Sequence, residues 1–104
     1  MNRIACLNDG RRRTFEGGRV VLTEGIAALS EHDCAQVLER VRSFDAFSPE
    51  NDPHGEHDFG NFDVAGVSYF FKVDYYAPDM EGGSEDPADP AKTTRVLTIM
   101  RADE

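Results

Sequence analysis

Two apolar, β-prone runs, 59–64 and 67–76, are separated only by Ala65-Gly66. A two-residue connection containing glycine between such runs predicts a β-hairpin. Any fold for this chain must therefore bury one face of an antiparallel pair. In the second run Val67, Tyr69, Phe71, Val73 and Tyr75 alternate onto one face. Ser68, Phe70, Lys72, Asp74 and Tyr76 take the other, which is only partly polar.

The rest of the chain supplies what covers the hairpin. Cys34, Val37, Leu38, Val41 and Phe44 recur at spacings of three and four, with Ser30 as N-cap and Glu31 and Asp33 in the first turn. This predicts an amphipathic helix over about 31–43. Residues 94–101 carry apolar side chains on both faces and predict a central strand. Residues 19–23 predict a first strand, broken at Gly25. Residues 2–15 predict a first helix with Ile4, Leu7, Arg11 and Phe15 on its covered face, ended by Gly17-Gly18. Arg11-Arg12-Arg13 then fall on its last turn, where cations suit the helix dipole; a phosphate-binding patch is the less favoured reading. The expected order is α-β-α-β-β-β. The fold class is α+β, a mostly antiparallel sheet of about four strands with helices on one face. At 104 residues the chain fits one domain, 1–104.

Charge narrows the function classes. The net charge is −9. Residues 1–43 hold seven Arg against six Asp and Glu, whereas 44–104 hold four Lys and Arg against fourteen Asp and Glu. Phosphate binding needs cations that displace counterions, so direct binding to nucleic acid or anionic lipid is not expected. The balance is compatible with a basic protein partner, with cation binding or with solubility alone. No run is long and apolar enough for a membrane span. The first residues lack the apolar core of a secretory leader, which makes the cytoplasm the default. Cys6 and Cys34 form no CxxC pair and have no zinc-ligand spacing. Both fall on apolar helix positions and are expected to be buried as small hydrophobes. The glycine-rich nucleotide-binding patterns are absent, and no cofactor is indicated.

Chemistry concentrates in the loop 45–58. Asn51-Asp52-Pro53-His54-Gly55-Glu56-His57-Asp58 gathers two histidines and three carboxylates. These are metal-ligand types, with Asp52, His57 and Asp58 as candidate ligands, but the spacing matches neither HExxH nor a calcium loop. The same residues also read as a loop held by Asp and Asn side chains accepting downstream N–H groups. A catalytic role would use Glu56, His57, Asp58 and Asp74, with His57 and a carboxylate as general base. No activated nucleophile accompanies them. Asp74-Tyr75-Tyr76 forms a second cluster, leading into the acidic loop 77–93 and Asp79; tyrosines beside carboxylates are common contact residues at interfaces. A structureless segment of that length in a compact domain is usually functional or disordered.

The strings LNDGRRRTFEGGRVVLTEGIAAL, FSPENDPHGEHDFGNFDVAG and KVDYYAPDMEGGSEDPADPAKTTRVLTIM together resemble a family of small bacterial proteins known as a domain of unknown function. The resemblance implies a setting on plasmids and integrated mobile elements, near antirestriction and replication genes. It carries over no catalytic or binding residue, and it favours His57 over His54, where an aromatic residue is usual. The leading expectation is a non-enzymatic acidic interaction module. Asp52, Glu56, His57, Asp58, Asp74, Tyr75, Tyr76 and Asp79 would contact a basic, nucleic-acid-handling protein, in an anti-defence or DNA-mimic manner. The alternative is a small metal-dependent hydrolase or nuclease built on the 52–58 cluster. A third is self-association through the partly apolar second face of the hairpin.

Overall fold

A computed structural model describes residues 2–104. Helix α1 spans Arg3–Thr14, strand β1 Arg19–Leu22, helix α2 Glu24–Ala27 and helix α3 Glu31–Ser43. Strands β2 (Phe59–Val64), β3 (Val67–Tyr76) and β4 (Thr94–Arg101) follow. The class is α+β, as the hairpin and the amphipathic stripe required. The one-turn helix α2 departs from the expected break at Gly25, which lies inside it.

The sheet runs β1-β4-β3-β2. β2 pairs with β3 and β3 with β4 antiparallel, while β1 joins the edge of β4 in parallel, so the sheet is mixed. Paired residues share a face. Phe71 opposite Ile99 and Val73 opposite Leu97 place four buried side chains together. Ile26 of α2 and Val37 and Val41 of α3 close over them. Fully burying a side chain of this kind contributes about 1.5–3 kcal/mol. α1 lies over the same face, with the Arg12 guanidinium 5.4 Å from the Phe71 ring centre. Gly60 of β2 admits the edge of Phe44 to this core, because a Cβ there would sit 2.5 Å from Phe71 Cε2 and 2.6 Å from Phe44 Cε1. The opposite sheet face carries Lys72 paired with Asp74 at 3.2 Å.

α3 begins on Ser30, whose hydroxyl accepts the Asp33 N–H, and ends at Ser43. α1 departs further from expectation. It starts on Asn2 as N-cap and stops at Thr14, with Phe15 in the left-handed region, before either glycine. Its buried side is Ala5, Asn8, Asp9, Arg11 and Arg12, whereas Ile4, Leu7 and Phe15 are only half-buried. The helix therefore turns a polar stripe inward. Cys6 is exposed and Cys34 half-buried, so the expectation of two buried sulfurs fails at Cys6.

The segment 77–93 is not structureless. Tyr76 and Gly83 form a β-bridge, and Pro90–Lys92 form a 3-10 turn. Thr93 Oγ1 donates to Asp86 O at 2.9 Å. Among the described residues no helix is long and apolar enough to cross a membrane.

Candidate functional site

The buried stripe of α1 meets the loop 45–58 and the end of β3, and this is where the polar side chains converge. Arg12, only 1 % exposed, donates through Nη1 to Val41 O (2.9 Å), Arg42 O (3.3 Å) and Phe44 O (2.7 Å). The last carbonyls of a helix have no partner within it. The three arginines lie on the last turn of α1, as expected, but the Arg12 side chain caps α3. Its Nη2 donates to Asp9 Oδ1 at 2.8 Å. Arg13 alone of the three arginines is exposed.

Asp9 also holds His57, whose Nδ1 lies 2.9 and 3.1 Å from its two oxygens. The imidazole stacks on Phe47, with ring centres 3.9 Å apart and planes within 4°. His57 takes a left-handed backbone (φ 56°), uncommon outside glycine. Asp52 stabilises that turn, since its Oδ1 accepts the N–H groups of Glu56 (3.0 Å) and His57 (3.1 Å). The expectation that loop carboxylates accept downstream N–H groups therefore describes Asp52. His57 Nε2 is 3.7 Å from Asp52 Oδ2, beyond hydrogen-bond reach. Phe47, Ser48, Asp52, His54 and His57 line an open depression beside it.

A second set of bonds centres on Asn8, which is fully buried. Its Nδ2 donates to Glu56 O (3.0 Å) and to the Tyr75 hydroxyl (2.7 Å). Its Oδ1 accepts from Arg95 Nε at 2.9 Å, and Arg95 Nη2 in turn donates to Pro87 O. Tyr75 donates to Glu56 Oε1 at 2.9 Å. Burial first, and then the Glu56 carboxylate against the opposing Asn8 bond, hold the Tyr75 phenol protonated well above its ordinary range. Burial pulls Arg95 down without neutralising it.

The sequence-derived residues thus divide. Asp52, Glu56, His57 and Tyr75 come together. Asp58 adjoins them, and its main-chain carbonyl accepts the Val73 N–H. Asp74 does not join: it lies on the other sheet face from Tyr75, paired with Lys72. Tyr76 and Asp79 are exposed, and Asp79 accepts the Glu81 N–H within its own turn. Among the described residues no group of three or more His, Cys, Asp or Glu is placed to hold a metal ion. Sequence reasoning missed Asn8, Asp9, Arg12, Phe47 and Arg95. The signal for the first three was present: Ala5, Asn8, Asp9 and Arg12 follow helical spacing, with an acid and a base three apart.

Burial, reinforced by the Glu56 and Asp52 carboxylates, raises the Asp58 pKa, against its own N–H and His54. The folded state then holds this proton more tightly than the unfolded chain, so its cost to stability appears as pH rises through that window. Asp58→Asn is expected to raise the melting temperature at pH 7 and to leave it unchanged near about pH 3, below the ordinary carboxylate range. Thermal unfolding at the two pH values checks this, and an equal gain at both would refute it.

Residues 22–104 match a family model described as Protein of unknown function (DUF3768), and the chain belongs to that family. The loop 45–58, the hairpin and β4 fall within the match, while Asn8, Asp9 and Arg12 precede it. No curated protein matches the chain, and neither does any solved structure.

Proposed function

We propose that this member of the family is a binding module that presents two acidic loops, 45–58 and 77–93, to a basic surface on a partner protein. One observation carries the reading. The bond chain from Glu56 O through Asn8 and Arg95 to Pro87 O ties both loops to one buried point. Asp45, Glu50, Asp79, Glu81 and Asp86 are exposed on loops held in this way. Fixing the loops before contact reduces the ordering cost of association. The natural partner is a nucleic-acid-handling protein of the host cell, with carboxylates standing where phosphates would bind, and the setting is a mobile element.

The test is capture from nuclease-treated bacterial lysate across a salt series. The wild-type chain is compared with one in which those five residues are changed to Asn or Gln. Proteins retained by the wild type, lost by the variant and released well below about 1 M salt are expected, because exposed charge pairs are screened. Capture that is indifferent to both changes refutes the reading.

One observation favours the hydrolytic alternative: Asp9 orients the His57 ring as a carboxylate orients a general base. Hydrolysis of nucleic acid or a simple ester with added Mn²⁺ or Zn²⁺, abolished by His57→Gln, would displace the binding-module reading.

A further inference from the structure

Arg11 stands one residue from Arg12 and is almost as deeply buried, yet the chain treats the two differently. Arg12 has four acceptors in range. Arg11 is 3 % exposed, and none of its three side-chain nitrogens has a hydrogen-bond partner. Burial lowers its pKa and no neighbouring carboxylate offsets that. A guanidinium nonetheless stays protonated in a protein, so the site carries an uncompensated positive charge. Buried groups of this kind call for an explanation, because proteins otherwise pair them.

Arg11 lines a cleft of about 520 Å³ between the C-terminal half of α1, the turn at Glu16-Gly17 and the segment leading into β4. Arg95 lines it too. The acceptors of Arg95, Asn8 Oδ1 and Pro87 O, are both neutral. Among the described residues neither arginine forms an ion pair. Glu16 is the one acid on the cleft wall; it is exposed and does not act on Arg11. Two arginines that form no ion pair thus line one cavity in a chain of net charge −9. Leu7, Cys6 and Pro90 give the cavity an apolar side. Its volume falls within the usual range for small-molecule sites.

We propose that this cleft binds a small molecule bearing an oxyanion, a carboxylate or a phosphate, with Arg11 as its forked anchor and Arg95 as the second positive charge. Two parallel N–H···O bonds to such a group satisfy the planar guanidinium in a way that water cannot match in charge. The hydrocarbon part of the ligand lies against Leu7 and Pro90. The site is separate from the two acidic loops and calls for ligand chemistry of the opposite sign.

The test is a ¹⁵N NMR titration of the full chain with benzoate, with phenyl phosphate and with benzamide as the neutral control. Saturable shifts of the Arg11 Nε–H and of the Gly10 and Gly17 amides are expected with at least one of the two anions. Which anion saturates first identifies the ligand class, and benzamide should produce none of these shifts. Arg11→Met should weaken the response at least about tenfold while melting no lower than the wild type, since it removes a charge that has no partner. Gly10→Trp provides a second arm that keeps Arg11. A Cβ at Gly10 meets nothing within 4 Å, so the indole can fill the cleft and block the anion. Absence of saturable shifts with both anions overturns the proposal, as does wild-type binding by Arg11→Met or by Gly10→Trp.

Discussion

Arg12→Met is expected to lower the unfolding free energy by about 3–5 kcal/mol, the usual cost of removing one partner from a buried ion pair. Methionine gives up the contacts of the guanidinium with the Phe47 and Phe71 rings, whose centres lie 5.4 Å from it. With them goes the set of bonds to Val41 O, Arg42 O, Phe44 O and Asp9. Two causes are then separable. If the ion pair dominates, Asp9→Asn should cost as much as Arg12→Met. If capping of α3 dominates, Asp9→Asn should cost far less, because Arg12 keeps its three carbonyls. The geometry favours capping, since three of the four bonds go to backbone oxygens. Urea unfolding of the two variants and the double mutant decides the matter. A loss below about 1 kcal/mol for Arg12→Met, the net worth of a single ordinary hydrogen bond, would show that the cap stabilises nothing. For a domain with a total stability of about 5–15 kcal/mol the expected loss is large, so the measurement belongs at low temperature and low urea.

The same contacts show what was legible in the sequence. α3, the hairpin and β4 follow from periodicity because each buries an apolar face, and an apolar face at a fixed period has one reading. Their observed bounds, Glu31–Ser43, Phe59–Val64, Val67–Tyr76 and Thr94–Arg101, agree with those expected. The parallel pairing of β1 with β4 was hidden, since four residues of β1 reveal their strand propensity and not their neighbour. The orientation of α1 was hidden for a different reason. Sequence patterns assign apolar side chains inward, but here the carbonyls at the end of α3 and the imidazole of His57 need partners. Arg12 and Asp9 supply them, Asn8 does the same for Glu56 O, and satisfying buried polar groups outweighs burying Ile4 and Leu7 more fully. Strand alternation, by contrast, separates Asp74 from Tyr75, and a site joining Asp74 to His57 was never consistent with it.

Asn8→Ala is expected to cost about 2–4 kcal/mol, because it strands two buried groups at once at about 1–3 kcal/mol each. Arg95 Nε loses its acceptor and Glu56 O its donor, while Tyr75 keeps its bond to the Glu56 carboxylate. Hydrogen exchange adds what a denaturation curve cannot. If Asn8 couples the loops, the amides of Glu56 and His57 on one side and of Asp89 and Ala91 on the other should both exchange faster, although each set bonds locally. Exposed charge substitutions such as Glu81→Gln should change neither. Asn8→Asp then divides the hub. Its carboxylate still accepts from Arg95 and gains a charge-assisted bond, but it has no N–H for Glu56 O or Tyr75. The 77–93 loop should stay protected and the 45–58 loop should not. If the binding surface requires both loops in fixed relation, this variant loses partner affinity while retaining every exposed carboxylate. Wild-type affinity in Asn8→Asp would mean that the two loops act separately and that the hub serves stability alone.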